Sequence, residues 1–471
     1  MLNLLIKRLS MKLRNNYKQT VESQKSKAKL LQVTNRYWLL SLLICLLAFP
    51  PSAFTQETLS LEQSVELAMK HNHNIKIFRN NQVIAENSAK PGNAGMLPNV
   101  TLNAGTNYSN NNTRLVFAGN IPEVEQNGAE SQSNNASINL NYTLFDGLAM
   151  FHNYDILKLS KNQAELNTRL NIENTLMSVI QSYYEMARLQ NQMKVAKEAL
   201  AISKERWLRA KTYNEFGGSS KVEFLSAEVD LNTDSVNFMN AELAWVNARR
   251  DLNFLMGVEN DRTYNVSENV SLNNLLAIED LFEKAKQNNA AVLNTAYNKQ
   301  IAEKQLKATN STKLPTIAAN ASYGFNTSVN EAGIVLENYN NGVNAGLSLT
   351  YPLFTGNRNT IQRQNAKVQV ENATLQEELA EAQLLRDLNN TYASYQNLKS
   401  VIGMEQKNLK TAELNFNRTK ELFELGKVTN TQFREAQLNL LRSKLNINNF
   451  KFQQKVTEAQ LMRISGSLLG S

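Results

Sequence analysis

Tyr142-Thr-Leu-Phe-Asp-Gly147 and Tyr351-Pro-Leu-Phe-Thr-Gly356 stand 209 residues apart, and the register they set runs on without a gap for over a hundred residues. Tyr183 then faces Tyr392, Leu200 faces Leu409, Trp207 faces Phe416, Gly217 faces Gly426, Phe224 faces Phe433 and Gly257 faces Gly466. Upstream the offset becomes 217, with Ala68/Ala285, Asn72/Asn289 and Leu97-Pro98/Leu314-Pro315. The chain is therefore a duplication, which decides how everything else is read. The change of offset falls between Pro98 and Tyr142, in an Asn-, Ser- and Gly-rich stretch (107–136) whose counterpart is 326–342. Both stretches read as loops, where length varies freely. The division that follows is a lead (1–55), a first repeat (56–257), a linker (258–277), a second repeat (278–466) and a tail (467–471).

Each copy predicts the same α+β unit. Short helices come first (61–72 and 73–95; in the second copy 290–311), then two strands, a very long helix, a tight turn and a return helix. The strands (99–109 and 136–145; 316–326 and 343–353) alternate. Val100, Leu102, Ile138, Leu140, Ile317, Leu347 and Leu349 lie on one side, with Asn, Ser, Thr and Gly on the other. Segments of about ten residues with this pattern fit a lipid-facing barrel with a wet interior. They also fit a soluble antiparallel sheet with one solvated face.

The helices decide between the two. No Gly or Pro occurs in 148–216, so one helix there would run about 100 Å. Leu166, Leu170, Met177, Ile180, Tyr184 and Ala187 trace one seam at heptad spacing, and Ile172, Leu176, Val179, Tyr183, Met186 and Met193 trace a second. Two seams about 100° apart give the helix a neighbour on each side, as in a wall of helices. The return helix 221–256 covers about 54 Å, and helix 73–95 stacked end-on supplies most of the rest. The second hairpin, 357–465, has the same parts. Four strands cannot close a membrane barrel, and an open edge in lipid leaves backbone groups unpaired. The barrel reading therefore requires a homo-oligomer.

Composition narrows the class. Among 471 residues there are only 18 Gly and 7 Pro, and no Pro lies in 148–216, 219–256, 357–425 or 427–465. All of the net charge of +8 sits in residues 1–36, which hold nine Lys or Arg and one acid; the remainder is balanced. A neutral body gives no electrostatic case for nucleic acid. The basic stretch leads into the apolar Tyr37–Phe49 and then Pro50-Pro-Ser-Ala-Phe-Thr55, the layout of a cleavable signal peptide. Thirteen residues are too short to span a bilayer as a helix. Ile44 precedes Cys45 where a lipid-anchored cysteine needs a small residue, and an exported chain without Cys45 has no thiol chemistry.

At the two turns, Gly217 and Gly426 end the descending helices, where a left-handed residue is easiest for Gly. Ser220-x-x-Glu223 and Thr429-x-x-Gln432 read as capping boxes that start the ascending helices. Signal peptide, duplicated strand–strand–long-helix–turn–helix unit and these tips (Phe423-Glu-Leu-Gly426-Lys-Val-Thr429-Asn-Thr-Gln432-Phe433, and Tyr213-Asn-Glu-Phe-Gly217-Gly-Ser-Ser220-Lys-Val-Glu223-Phe224) together resemble the TolC-like outer-membrane efflux family. The resemblance implies a trimer with a twelve-stranded barrel continued by a coiled-coil tunnel. It implies a passive exit duct for efflux or type I secretion, served by a periplasmic adaptor and an inner-membrane transporter. It also implies adaptor contact through Gly217, Ser220, Glu223, Gly426 and Thr429. The family narrows at acids six and nine residues past the second-tip Gly, which here are Gln432 and Glu435. Its lock positions fall on Phe423 and Val428, so the familiar closing set is present only in part.

Other signals carry less. His71-x-His73 points to two faces of a helix, and the third His, His152, is far off in sequence, so no metal site is expected. Gly217-Gly-Ser-Ser-Lys221 is no phosphate loop, so energy has to come from a partner. No nucleophile–base set is available, so neither an enzyme nor a cofactor is expected. The rival reading is a soluble periplasmic coiled-coil adaptor or scaffold, which would lack the alternating strands.

Overall fold

The computed structural model describes residues 58–119, 121–218, 220–268, 277–332 and 334–469. The signal-peptide assignment falls on 1–55, outside the described residues.

The first repeat contains β1 (Thr58–Leu59), α1 (Leu61–His71), α2 (His73–Ser88), β2 (Asn99–Leu115), β3 (Val124–Phe145), α3 (Ala149–Glu215) and α4 (Lys221–Met256). After β4 (Asn265–Val266), the second repeat contains α5 (Ile278–Asn288), α6 (Ala290–Ser311), β5 (Thr316–Asn330), β6 (Glu337–Thr350), α7 (Arg358–Glu424) and α8 (Asn430–Ile464). The two long helices have 67 residues each, about 100 Å apiece.

The helices form a wall in two tiers. In the upper tier α3 packs between α2 and α6, and α6 also meets α7; in the lower tier α3 packs between α4 and α8, and α8 also meets α7. The two seams of α3 thus each find a partner. The largest core cluster lies where the tiers meet, around Val179, Tyr183, Met186 and Leu189 of α3, Leu252 and Met256 of α4, and Phe452 of α8. A second cluster joins Leu281 and Ala285 of α5 to Leu384, Leu388 and Tyr395 of α7 and Leu461 and Ile464 of α8. Among the described residues no helix is long and apolar enough to cross a membrane.

The four long strands form one antiparallel sheet in the order β2-β3-β5-β6. They exceed the expected ten residues: β3 begins at Val124 rather than 136, and β6 at Glu337 rather than 343. Both stretches expected to loop are mostly ladder, since β2 runs on to Leu115 and β3 starts at Val124, while β5 runs to Asn330 and β6 starts at Glu337. Polar side chains on both faces leave such a strand without the apolar alternation by which it could be read. β6 stops at Thr350 rather than 353, because Pro352 has no N–H to donate.

Two further boundaries differ from expectation. The helix expected over 73–95 stops at Ser88 and gives way to a 3₁₀ turn at Pro91–Ala94, consistent with the lone Pro91 and with Gly92 and Gly95. The expected linker 258–277 contains β4, which pairs in parallel with β1. Tyr183 donates from its hydroxyl to Leu59 O (3.0 Å) and accepts from Ser267 N–H, pinning this small sheet to the middle of α3.

At the sheet-to-wall joint, Gly147 and Leu148 are both left-handed (φ +74° each). A Cβ on Gly147 would lie 2.4 Å from Ser311 O, so only glycine fits beneath the end of α6. Gly356 and Asn357 repeat the left-handed pair before α7.

Candidate functional site

Both tip turns are left-handed at glycine, Gly217 at φ +73° and Gly426 at φ +71°. The two capping boxes differ. Thr429 makes the full box: its hydroxyl accepts from Gln432 N–H (3.2 Å), while its own N–H donates to Gln432 Oε1 (2.9 Å). Ser220 makes half of one, accepting from Glu223 N–H at 3.3 Å; the Glu223 carboxylate does not close it. Gly217, Ser220, Glu223, Gly426 and Thr429 are all exposed at the ends of the hairpins.

Of the three gate candidates, Phe423 is committed to packing. Its ring stacks on Phe433 at 4.7 Å between centroids, and Phe433 stacks in turn near Phe416 at 5.6 Å. Arg209 lies 4.8 Å over Phe423 and 5.4 Å over Tyr213, and donates to Glu424 O at 3.0 Å, so it spans the groove between the two tips. Gln432 is turned back onto its helix start by the cap. Glu435 is exposed on the face of α8 opposite the buried Phe433, Ala436 and Gln437.

Above the tips lies a cluster that the sequence reading missed. Arg434 on α8 grips Asp234 on α4 bidentately (2.6 and 2.9 Å). Arg206 on α3 donates to Asp230 on α4 (2.9 Å) and to Asn430 on α8 (2.7 and 2.9 Å). Ser203 donates to Asp234, and Gln437 donates to Ala199 O at 3.4 Å. Arg206 and Asp234 are each 3% exposed. Burial alone would push the Asp234 carboxyl up, yet hydrogen bonds from Arg434 and Ser203 and the charges of both arginines hold it below the usual carboxylate range. Burial lowers Arg206 despite the attraction of Asp230. These contacts tie α3, α4 and α8 together. One signal could have found them: Asp230 and Asp234 are like charges one turn apart, unfavourable on a helix unless cations face them.

At the other end, pairing sets the faces of the sheet. Val100 pairs with Leu140 and Leu140 with Ala321; Leu102 pairs with Ile138 and Ile138 with Tyr323. Ile317 pairs with Leu349, and Ala319 with Leu347. All seven residues read as lipid-facing therefore share one face, and five of them are more than half exposed. An apolar face of this extent marks contact with another surface or a membrane. Among the described residues no three His, Cys, Asp or Glu side chains gather as a metal site.

The family model described as outer membrane efflux protein matches residues 65–258 and 281–467. The chain is 22% identical over 383 residues to the outer membrane protein TolC of Vibrio cholerae, covering 80% of this chain and 83% of that one. It is 20% identical over 332 residues to the outer membrane efflux protein BepC of Brucella suis, covering 70% and 72%. Among solved structures, the Campylobacter jejuni CmeC outer membrane channel superposes with a TM-score of 0.74 at 14% identity, covering 87% of this chain and 86% of that one. VceC of Vibrio cholerae gives 0.69 at 17% identity, covering 86% and 96%. With both repeats matched, and with the sheet and helical wall in the arrangement of those channels, the chain belongs to the outer membrane efflux protein family.

Proposed function

We propose that three copies of this chain close a barrel and a helical tunnel that together form the exit duct of a tripartite efflux or secretion assembly. One observation carries the reading: surfaces buried inside the chain recur, 209 residues away, as exposed apolar surfaces on its two free edges. On α3, Val195 is 8% exposed; its repeat partner on α7, Met404, is 69% exposed. On α8, Phe452 is 5% exposed; its partner on α4, Leu243, is 58% exposed. The α3–α8 contact inside the chain thus has a counterpart in which α7 of one copy meets α4 of the next. Such a head-to-tail contact closes into a ring. The sheet supports the same assembly. Its edges β2 and β6 run in opposite directions, so copies pair antiparallel, and three four-stranded sheets would make an even-numbered barrel of the size such barrels require.

In this reading the apolar face of the strands meets lipid, and the 331–336 and 116–123 turns lie outside the cell. The exposed tip residues Gly217, Ser220, Glu223, Gly426 and Thr429 meet a periplasmic adaptor, and an inner-membrane transporter supplies the energy. Glu435 lines the narrow end, Gln432 adds no charge to it, and Phe423 contributes by packing. Labels on intact cells therefore belong in those outer turns and not in the flanking strands, which run to Leu115 and start again at Glu337. The sheet of long alternating strands and the family match give the soluble adaptor reading no support.

Native mass spectrometry of the protein extracted from outer membranes tests the assembly. Three chains per particle are expected, and a monomer would reject the proposal. Loss of efflux on deletion, restored by the intact chain, tests the transport role.

A further inference from the structure

We propose that the barrel is blind to charge, its lumen lined only by amides, hydroxyls and backbone, so that solutes of either sign pass it equally and any discrimination between ions is made below the strands. The inference rests on the reading that the apolar face is turned to lipid, which leaves the other face to the lumen.

No Asp, Glu, Lys, Arg or His occurs in 99–113, 131–145, 316–330 or 338–350, the greater part of all four strands. The register shows how that composition is distributed. Asn99 stands beside Asn141 and Asn141 beside Asn320; at the next level Thr101, Asn139, Ser322 and Asn344 form one row. Rows continue to Ser109, Ser131 and Asn330, and each of these six levels carries at least one asparagine and no ionisable group. Charge begins only toward the ends of the sheet, where the ladder pairs Arg114 with Glu125, Asn110 with Glu130 and Val329 with Glu337. Lys313 and Asp146 lie at the helical end, and Arg114, Glu123, Glu125, Glu130, Glu331 and Glu337 at the far end.

A ring of like charges in a low-dielectric wall focuses its field on the pore, concentrating counter-ions and excluding co-ions. Amides and hydroxyls do neither. Each offers both donor and acceptor, so an ammonium, a carboxylate or a peptide group exchanges water for an equivalent partner. At physiological salt the charges toward the ends of the strands are screened within about 8 Å, so the middle levels feel little of them. The class of solute suited to this lumen is therefore polar and unrestricted in charge.

Local potential at Asn139 tests this. In a chain carrying Cys45→Ser and Asn139→Cys, the assembled channel in lipid vesicles is treated with a cationic and an anionic methanethiosulfonate at physiological salt. The two rates are compared with those for 2-mercaptoethanol. A charge-blind lumen predicts a cation-to-anion rate ratio within about twofold of the free thiol. A ratio displaced about tenfold or more, the least enrichment a focused field produces, would overturn the proposal while leaving the face assignment intact. If neither reagent reaches the thiol of the Asn139→Cys chain although that of Leu140→Cys reacts once lipid is replaced by detergent, the face assignment itself fails. Ser322→Cys, in the same row, replaces Asn139→Cys if that variant does not assemble.

Discussion

The boundary between the two helical hairpins inside the chain and the boundary that its free edges would make in the proposed ring are related by the same 209-residue repeat, yet they are built differently. Inside, Arg206, Asp230, Asp234 and Arg434 form a desolvated ion network with Ser203. The equivalent edge positions are Asn415 and Ala412 on α7, Asn439 and Ser443 on α8, and Leu225 on α4. None of these four charges survives the transposition, whereas the neutral Asn430 and Gln437 of the same cluster become Lys221 and Glu228. In the proposed ring, duplication would therefore produce two contacts of similar shape, one fixed inside the chain by buried charge and one that lacks that four-residue ion network. A tunnel that opens at its lower end would part at the second and move each chain's tip as a unit.

The largest expected effect comes from breaking the inner boundary. Arg434→Ala leaves Asp234 buried without its bidentate partner, a change that costs about 3–5 kcal/mol. Its counterpart at the edge, Leu225→Ala, and the neutral Asn415→Ala should each cost far less in the separated chain, since surface changes fall within about 0.5 kcal/mol. Denaturant unfolding of the purified variants measures both; equal losses would remove the distinction between the two boundaries.

Next is the contrast between the two faces of the sheet. Lysine at Leu140 or Leu349 would cost about 2–4 kcal/mol near the bilayer midplane and reduce the assembled fraction in outer membranes. Lysine at Ser348, on the other face, should assemble nearly as well as the parent.

The pH response follows from the inner network. Asp234 is held below its unfolded value, so its contribution is fully present above the unfolded carboxylate pKa of about 3.9. It is lost as the pH falls through the lower folded value. Amide protection at the lower ends of α4 and α8, taken relative to the intrinsic exchange rate at each pH, should therefore match at pH 7 and pH 5 and fall only below about pH 4. A fall already at pH 5 would mean that another group holds the tip.

The smallest contrast sharpens the comparison at the tips themselves. Thr429→Ala removes a complete capping box and should cost about 1 kcal/mol, whereas Ser220→Ala removes a single 3.3 Å hydrogen bond and should cost less. Amide exchange in the first turns of α8 and α4 reports the two separately.

How much of this was legible in the sequence depended on the range of the signal. The long helices were, because the span without Gly or Pro and its two heptad seams are local: 148–216 is observed as Ala149–Glu215. The faces of the sheet were legible from alternation. The outer halves of β2 and β3 were not, since a ladder wet on both sides has no apolar period. Nor was the inner network, whose members at 206, 230 and 434 meet only through tertiary packing. Phe423 was assigned a gating place by resemblance, and its stacking on Phe433 could not be read from spacing alone.

The central claim, that α7 of one copy docks on α4 of the next as α3 docks on α8 within the chain, has one most direct test. Asn448 on α8 donates a hydrogen bond to Asn191 on α3. Shifted by the repeat, that pair becomes Ser400 on α7 and Met239 on α4, both exposed on the free edges. In a chain carrying Cys45→Ser, Ser400→Cys and Met239→Cys, mild oxidation in native outer membranes should give covalent species of two and three chains, with nothing larger. Single chains only, from membranes in which the protein is otherwise assembled, would contradict the account.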